Sequence, residues 1–492
     1  MSSSTRPHVP FDLHAAARAA LRQYELAPDI TAEASKQLAE LVRRPATPPG
    51  SSGVDLRQLL WSSIDDDKSR DLDQIEVASV VAGGTQVRVA VADVDDLVPR
   101  GSPIDTSAAR NSTTVYTGVE TFPMLPPELS TDRTSLAPGQ DRSAIVIEFT
   151  VAPDGSTTAA SVYRATVRNQ AQLAYDSVGG WLAGTGPAPA PVAANPALAD
   201  QLRLQRAAAQ WLRQRRAQRG ALDLMTIEAT PVLDDGRVVD LRAIQPGAAR
   251  DLIEDFMIAA NAVIATYLTT KGRSSIRRVV RTPAHWDRMV ELAHEHGTAL
   301  PVEPDGHALA AFLNAQRAAA PATFPDLSLA VIKLLGPGEY VVESTSGPAT
   351  GHFGLAVPDY THGTAPNRRY ADLVTERLIK AAIAGSPSPY SDAELAAIAA
   401  HCTTQEDNAR RAARLVHKEA AAVLLEPRVG EAFDAIVTGV SEKGIFARIL
   451  TPPVEGRIMK SARKLAVGNR VRVRLVSTDP AHGFIDFEAV GA

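Results

Sequence analysis

The chain has 492 residues, 45% of them apolar and 22% charged, with a net charge of -5. That length allows two to four domains around a large core, and the charge excludes wholesale adsorption to nucleic acid while leaving room for a local basic channel. The single cysteine, Cys402, excludes an intrachain disulfide and a cysteine-based zinc site and fits a reducing compartment.

MSSSTRPHVPFDLH lacks the apolar run of a secretory signal, and FMIAANAVIATYL is too short to span a bilayer and contains Asn261. A soluble, cytoplasmic chain with no membrane partner is expected. Leu13, Ala17, Leu21 and Tyr24 form one helical stripe, and a second helix follows Thr31, a capping residue. RPATPPGSSG, residues 44–53, reads as a linker. Residues 1–53 are therefore a short helical module, whose pattern suits a packing appendage at least as well as a nucleic-acid-binding helix pair.

From Val54 strands take over. TQVRVAVADV alternates Val87, Val89 and Val91, and two further strands flank a turn at Pro153-Asp154-Gly155. Residues 184–196 read as a loop. A long arginine-rich helix then stops at Gly220. Helices dominate to about residue 425, interrupted by PGEYVVESTSGPATGHFG, which makes 54–426 one α+β body. Five short strands in residues 427–492 suit a small OB-type barrel. There Arg470, Arg472 and Arg474 share a strand face near Phe433 and Phe446, a candidate platform for single-stranded RNA.

The stretch SIDDDKSRDLDQIE, residues 63–76, sets five aspartates within nine positions. Read as a calcium loop from Asp65, it fills the ligand slots at Asp65, Asp67, Ser69, Asp73 and Glu76. The sharp turn at the sixth position falls on Arg70 instead of glycine, and strands follow where a helix is required. A solvated surface loop is the bland alternative. Apolar Ile64, Leu72 and Ile75 tie the segment to a core, and in an extended chain Asp71 and Asp73 point to one side while Asp65 folds back. Three convergent carboxylates call for a hard cation such as Mg²⁺ or Mn²⁺, which phosphodiester-cleaving enzymes use.

The acidic pattern, with VAVADVDDLVPRGSPIDTSA, TTVYTGVETFPMLPPELSTDRTSL, RGALDL, LIEDFMIAAN and GHFGLAVPDYTHGTAPNRRYADLVTERLI in order, resembles the ribonuclease II (RNB) family. The resemblance runs from about Ser62 to the C-terminus. It implies an RNB catalytic domain with a mixed sheet and helices, followed by an S1-like barrel. The implied activity is Mg²⁺-dependent hydrolysis of single-stranded RNA from the 3′ end to 5′-mononucleotides, with Mn²⁺ as the alternative ion and a monomer as the expected state. The competing expectation is a catalytically weakened RNA-binding protein. Carried over, Asp65, Asp71 and Asp73 are metal ligands. Gln74 stands at the fourth family aspartate and can offer only a neutral amide oxygen.

By the same resemblance, Arg368 clamps the scissile phosphate, with Arg369 as a partner or else paired to Asp372. Tyr116 lies by the 3′-terminal nucleotide and Tyr175 by its ribose. Leu224 replaces the family's stacking aromatic, and Ala413-Arg414 replaces a glutamate and arginine. Of Glu254 and Asp255, Glu254 is chosen for the ribose because it shares a helix face with Asn261. His294 and His296 read as a solvated helix end before Gly297, and Cys402 as a small packed residue.

Overall fold

The structure is a computed structural model and describes residues 11–44, 53–227, 229–243, 246–344, 349–441, 444–460 and 465–490. The expected linker lies almost wholly outside these residues. Helix α1 (Leu13–Gln23) starts where Asp12 accepts the Ala15 N–H, and α2 (Ala32–Arg43) where Thr31 accepts the Ala34 N–H. Both caps satisfy a donor that has no partner within the helix.

Strands β1 (Val54–Asp55), β2 (Ser62–Asp65), β3 (Gln74–Val81) and β4 (Gly84–Ala92) open the body. Helix α3 (Pro103–Asn111) and a small hairpin, β5 (Val115–Tyr116) with β6 (Thr121–Phe122), come next. Then follow β7 (Asp141–Val151), β8 (Thr157–Arg168) and β9 (Ala171–Ala174). These build a seven-stranded sheet in the order β1-β8-β7-β4-β3-β2-β9, parallel only at β1/β8 and β2/β9. Alternation buries Val87, Val89 and Val91 of β4 against Ile145, Ile147 and Phe149 of β7. The β7–β8 turn is the expected one, with Gly155 at φ +77°.

Helix α4 (Tyr175–Ala183) begins at the end of β9. The segment expected to be a loop instead forms a helical turn, α5 (Ala190–Ala194), where Pro191 tolerates the first turn because its missing N–H has no partner there anyway. The arginine-rich helix is α6 (Pro196–Gln218). The helical reading beyond it fails in two places. A hairpin, β10 (Ala229–Asp234) with β11 (Arg237–Ala243), turns through Asp235 and Gly236, both at positive φ. After α7 (Ala248–Thr270), strand β12 (Ser275–Val279) pairs with β13 (Glu339–Glu343), with α8 (Trp286–Glu295), α9 (Gly306–Ala319) and α10 (Phe324–Leu335) between them. At 23 residues α7 is longer than its apolar window suggested, and by length and composition it could cross a membrane. Here it is a core helix, with Leu252, Phe256, Ala260 and Ile264 buried. His296 caps α8 ahead of Gly297 at φ +74°, as the sequence implied.

Helix α11 (Tyr370–Ile383) is nearly all buried, and the 34-residue α12 (Asp392–Leu425) starts from a capping box at Ser391 and Glu394. Burial of Cys402 on α12 pushes its thiol up to about 12, so it packs and does not react. Strands β14 (Ala432–Ser441), β15 (Gly444–Ile449), β16 (Glu455–Lys460), β17 (Arg470–Asp479) and β18 (Phe484–Ala489) close the expected five-stranded barrel. Arg470, Arg472 and Arg474 are exposed on β17, but Arg472 pairs with Asp434 and Arg474 with Glu488. Phe433 is not on the platform: it is buried in the barrel core under Arg428, while Phe484 is exposed and stacks on His482.

Where α12 meets the barrel, Glu419 is buried and its Oε2 has no hydrogen-bond partner among the described residues. Burial raises its carboxyl from 4.5 to about 7, so the folded chain holds a proton that the unfolded chain gives up. Stability should fall as pH rises from about 4.5 to 7 and then level off. Glu419→Gln should match the wild type at pH 4 and exceed it by about 1–3 kcal/mol at pH 8 in urea denaturation.

Candidate active site

The acidic stretch is the crossover from β2 to β3, and it is fastened on both sides. The Ser135 hydroxyl accepts the Leu72 N–H at 3.2 Å and donates to the Arg70 carbonyl at 2.6 Å. The Gln172 amide donates to the Ser69 carbonyl at 3.0 Å. Ile64, Leu72 and Ile75 are buried, as the apolar brackets implied. Asp65 Oδ1 accepts from the Asp66 N–H and the Ser69 hydroxyl, closing a turn, while burial pushes its carboxyl upward. Asp66 and Asp67 are exposed spacers, although Asp66 takes the Arg250 guanidinium at 2.6 Å.

Asp73 is buried, with both oxygens engaged: Oδ1 accepts the Asn367 N–H at 2.9 Å and Oδ2 the Arg368 Nε–H at 3.2 Å. Burial still raises its carboxyl to about 7, with Arg368 opposing the shift. Half-buried Asp71 keeps its oxygens more open, and the Tyr116 hydroxyl lies 3.5 Å from its Oδ2. Burial pushes the Tyr116 phenol up, so it stays protonated and able to donate. Gln74 opens β3 and pairs through its backbone with Val91; its half-buried amide has no hydrogen bond among the described residues.

Arg368 is placed from below by Asp372. This fully buried carboxylate accepts the Thr364 and Ala365 N–H groups, each at 2.9 Å, and fixes the loop entering α11. It also takes Arg369 in a two-point ion pair at 2.8 and 2.7 Å. Arg369 is therefore turned into the protein, not toward a substrate, because a buried carboxylate needs its charge more than the cleft does. The segment before Tyr116 runs beside this loop: Arg368 accepts the Thr114 N–H at 2.9 Å and Ser112 accepts that of Tyr370 at 2.8 Å.

The expected convergence of three carboxylates is not reached. Among the described residues no three acidic, histidine or cysteine groups stand close enough to hold one ion. Asp73 is drawn toward Arg368 and Asn367, and Asp65 toward its own turn. The donor chemistry nevertheless fits Mg²⁺, which commonly takes one or two carboxylates and fills its other positions with water and substrate phosphate. Asp71 and Asp73 would supply those carboxylates.

Beyond Tyr175 lies a cavity of about 670 Å³ lined by Leu224, Glu254, Arg250, Arg213 and Arg317 among others. Arg250 spans the gap, its guanidinium 4.3 Å above the Tyr175 ring and bonded to Asp66. Asp255 is buried between Arg213 and Arg216, while Glu254 is largely exposed and lines the cavity. Of the two acids weighed for substrate contact, Glu254 lines the cavity and Asp255 does not, but the face expected to be shared with Asn261 is not shared, since Glu254 is exposed and Asn261 buried. Asn261 is buried and steadies the loop before α11, accepting the Gly363 N–H at 2.9 Å. Arg250 and Asn367 were not singled out from the sequence, and Asp372 entered only as the alternative partner of Arg369, with which it pairs. Arg250 had one visible signal, a cation in the first turn of the helix that carries LIEDF.

Two family profiles match the chain: the RNB domain over residues 54–385 and the RNase II-type exonuclease C-terminal S1 domain over 431–490. Ribonuclease R 1 of Lactococcus lactis is 28% identical over 479 residues, covering 88% of this chain and 56% of the relative. The chain spans little more than half the length of that relative. RNase R of Mycoplasma genitalium, solved in complex with ribose-methylated single-stranded RNA, superposes with a TM-score of 0.87 at 22% identity, over 97% of this chain and 78% of that one. Yeast Ssd1, described as a pseudonuclease, superposes with a TM-score of 0.70 at 17% identity, over 95% and 57%. These structural likenesses establish the fold alone.

Removing the Asp372 carboxylate leaves Arg369 buried without its counter-charge and frees two backbone donors. Asp372→Ala should lower stability by about 3–5 kcal/mol in urea denaturation at pH 7.

Proposed function

The chain belongs to the RNB family, and from that premise we propose that it is an exoribonuclease that hydrolyses single-stranded RNA from the 3′ end to 5′-mononucleotides with Mg²⁺ in the cytoplasm. The observation that carries this reading is the Asp73–Arg368 pair, with Asp71 and Tyr116 beside it. It sets a fixed cation, a half-buried carboxylate and a phenol donor close together.

Arg368 is 40% exposed, so its outer N–H groups are available to a phosphate while Nε stays on Asp73. A guanidinium fixed beforehand stabilises the charge that builds on the phosphoryl oxygens without reorganising during reaction. Bound by Asp71 and Asp73, Mg²⁺ would lower the pKa of an attacking water and offset charge at the leaving oxygen. Tyr116 donates toward the terminal nucleotide, and the Tyr175–Arg250 pair walls the ribose side. Glu254 faces the cavity, where a 2′-hydroxyl would donate to it and favour RNA over DNA. Leu224 also lines this cavity and packs a base without aromatic stacking. Arg369 acts through Asp372 by holding the loop that carries Arg368.

Gln74 and Leu224 favour a second reading, an RNA-binding protein with a weakened site, and one gel separates the two. Purified protein with 5′-labelled oligo-RNA and Mg²⁺ should give a descending ladder that EDTA abolishes; RNA bound but never shortened would support the second reading instead. Asp73→Asn should lower turnover at least about 100-fold and leave RNA affinity nearly unchanged. Leu224→Phe should tighten oligo-RNA binding by about 1–3 kcal/mol by restoring a stacking face.

A further inference from the structure

We propose that the N-terminal helix pair is a positioning element for the reacting end of the site, acting through Leu21 and Asn111 on the segment that carries Tyr116. The inference rests on the exoribonuclease reading for its activity readout. It differs from a packing role because of where the contacts fall.

Leu21, Ala17 and Ala20 of α1 are fully buried in one cluster with Val115 and Phe122 of the β5–β6 hairpin and with Ala409, Ala412 and Val416 of α12. Val115 directly precedes Tyr116. The hairpin is thus gripped between α1 and α12, and its other end is gripped as well. The Asn111 side chain makes two hydrogen bonds to Ala27, accepting its N–H at 2.8 Å and donating to its carbonyl at 2.7 Å. Asn111 ends α3, and Ser112 then turns the chain through a left-handed conformation into Thr113–Tyr116. A planar amide held at both its atoms fixes the direction in which that segment departs.

The hairpin turn is confined too. Gly118 sits at φ +76°, and a Cβ there would lie 2.5 Å from Pro231. Glu120 beyond it faces Arg18 and His14 of α1. Because Thr114 donates to the Arg368 carbonyl, a displaced hairpin also displaces the arginine. The N-terminal helices therefore hold Tyr116 and Arg368 in mutual register, and small misplacements of such groups cost rate more than binding.

The test uses the full chain with Leu21→Ala, Asn111→Ala and, as a conservative control, Leu21→Met. A fourth variant, Ile147→Val in the sheet core, lowers stability far from the hairpin. Leu21→Ala and Asn111→Ala should each lower kcat about 10-fold with KM within about 2-fold; Leu21→Met should stay close to wild type, and Ile147→Val should lower Tm alone. In 3-fluorotyrosine-labelled protein, the resonance assigned to Tyr116 by Tyr116→Phe should shift or broaden in the two alanine variants only. Loss of Tm with kcat and the Tyr116 resonance both unchanged would overturn the proposal. If the wild type never shortens RNA, the exoribonuclease reading fails, and the fluorine resonance alone decides the positioning role.

Discussion

The Asp73 carboxylate is buried where β3 begins, and its two donors come from residues 294 and 295 positions later in the chain. A carboxylate so placed is costly unless paired, so its burial at the start of β3 depends on the loop ahead of α11. That loop in turn depends on Asp372, whose two backbone donors and one guanidinium set its path. The same pairing that stabilises the fold leaves a half-exposed guanidinium, with Tyr116 and the half-buried Asp71 paired nearby. One electrostatic arrangement thus brings together acidic and arginine-bearing segments that are distant in sequence.

Part of the architecture was legible because it follows from alternation. Alternate burial runs through most of β4 and through parts of β17 and β18, and that period is visible without a structure, whereas β3, β7 and β15 each bury three or more consecutive residues and were legible by their apolar, β-branched content. The β10–β11 hairpin was missed although Asp235-Gly236 is a strong turn signal, since Pro231 and the flanking charges blur the period. β12 was hidden for a different reason: Arg277 and Arg278 are buried there by Asp359 and Glu406, and a buried ion pair looks like a surface in one dimension. Phe433 failed in the opposite sense, an aromatic beside arginines that packs inward.

The site was legible in its residue types more than in its geometry. Asp71 meets Tyr116 and Asp73 meets Arg368, and Leu224 and Glu254 share a cavity, whereas Asp65 is held in its own turn. Apart from the Arg369–Asp372 pair, which was one of two alternatives, the sequence did not supply which partner each charge would choose. Alternation placed Asp71 and Asp73 on one side, yet Asp73 turned to Arg368 and Asp65 to its own turn. Arg369 and Arg368 are neighbours with opposite fates because Asp372 lies one helical turn from the former. Such competitions are settled by burial and by contacts across the fold.

Helix α12 gives the molecule a mechanical scale. Ala412 packs under the tyrosine hairpin and Ala422 enters the barrel core, and both lie on one unbroken helix. Ten residues at 1.5 Å each separate these seats by about 15 Å. The barrel is thus mounted beside the hairpin on a common rod and does not trail from the body on a tether. The spacing between hairpin and barrel is therefore set by helical rise and not by the length of a linker.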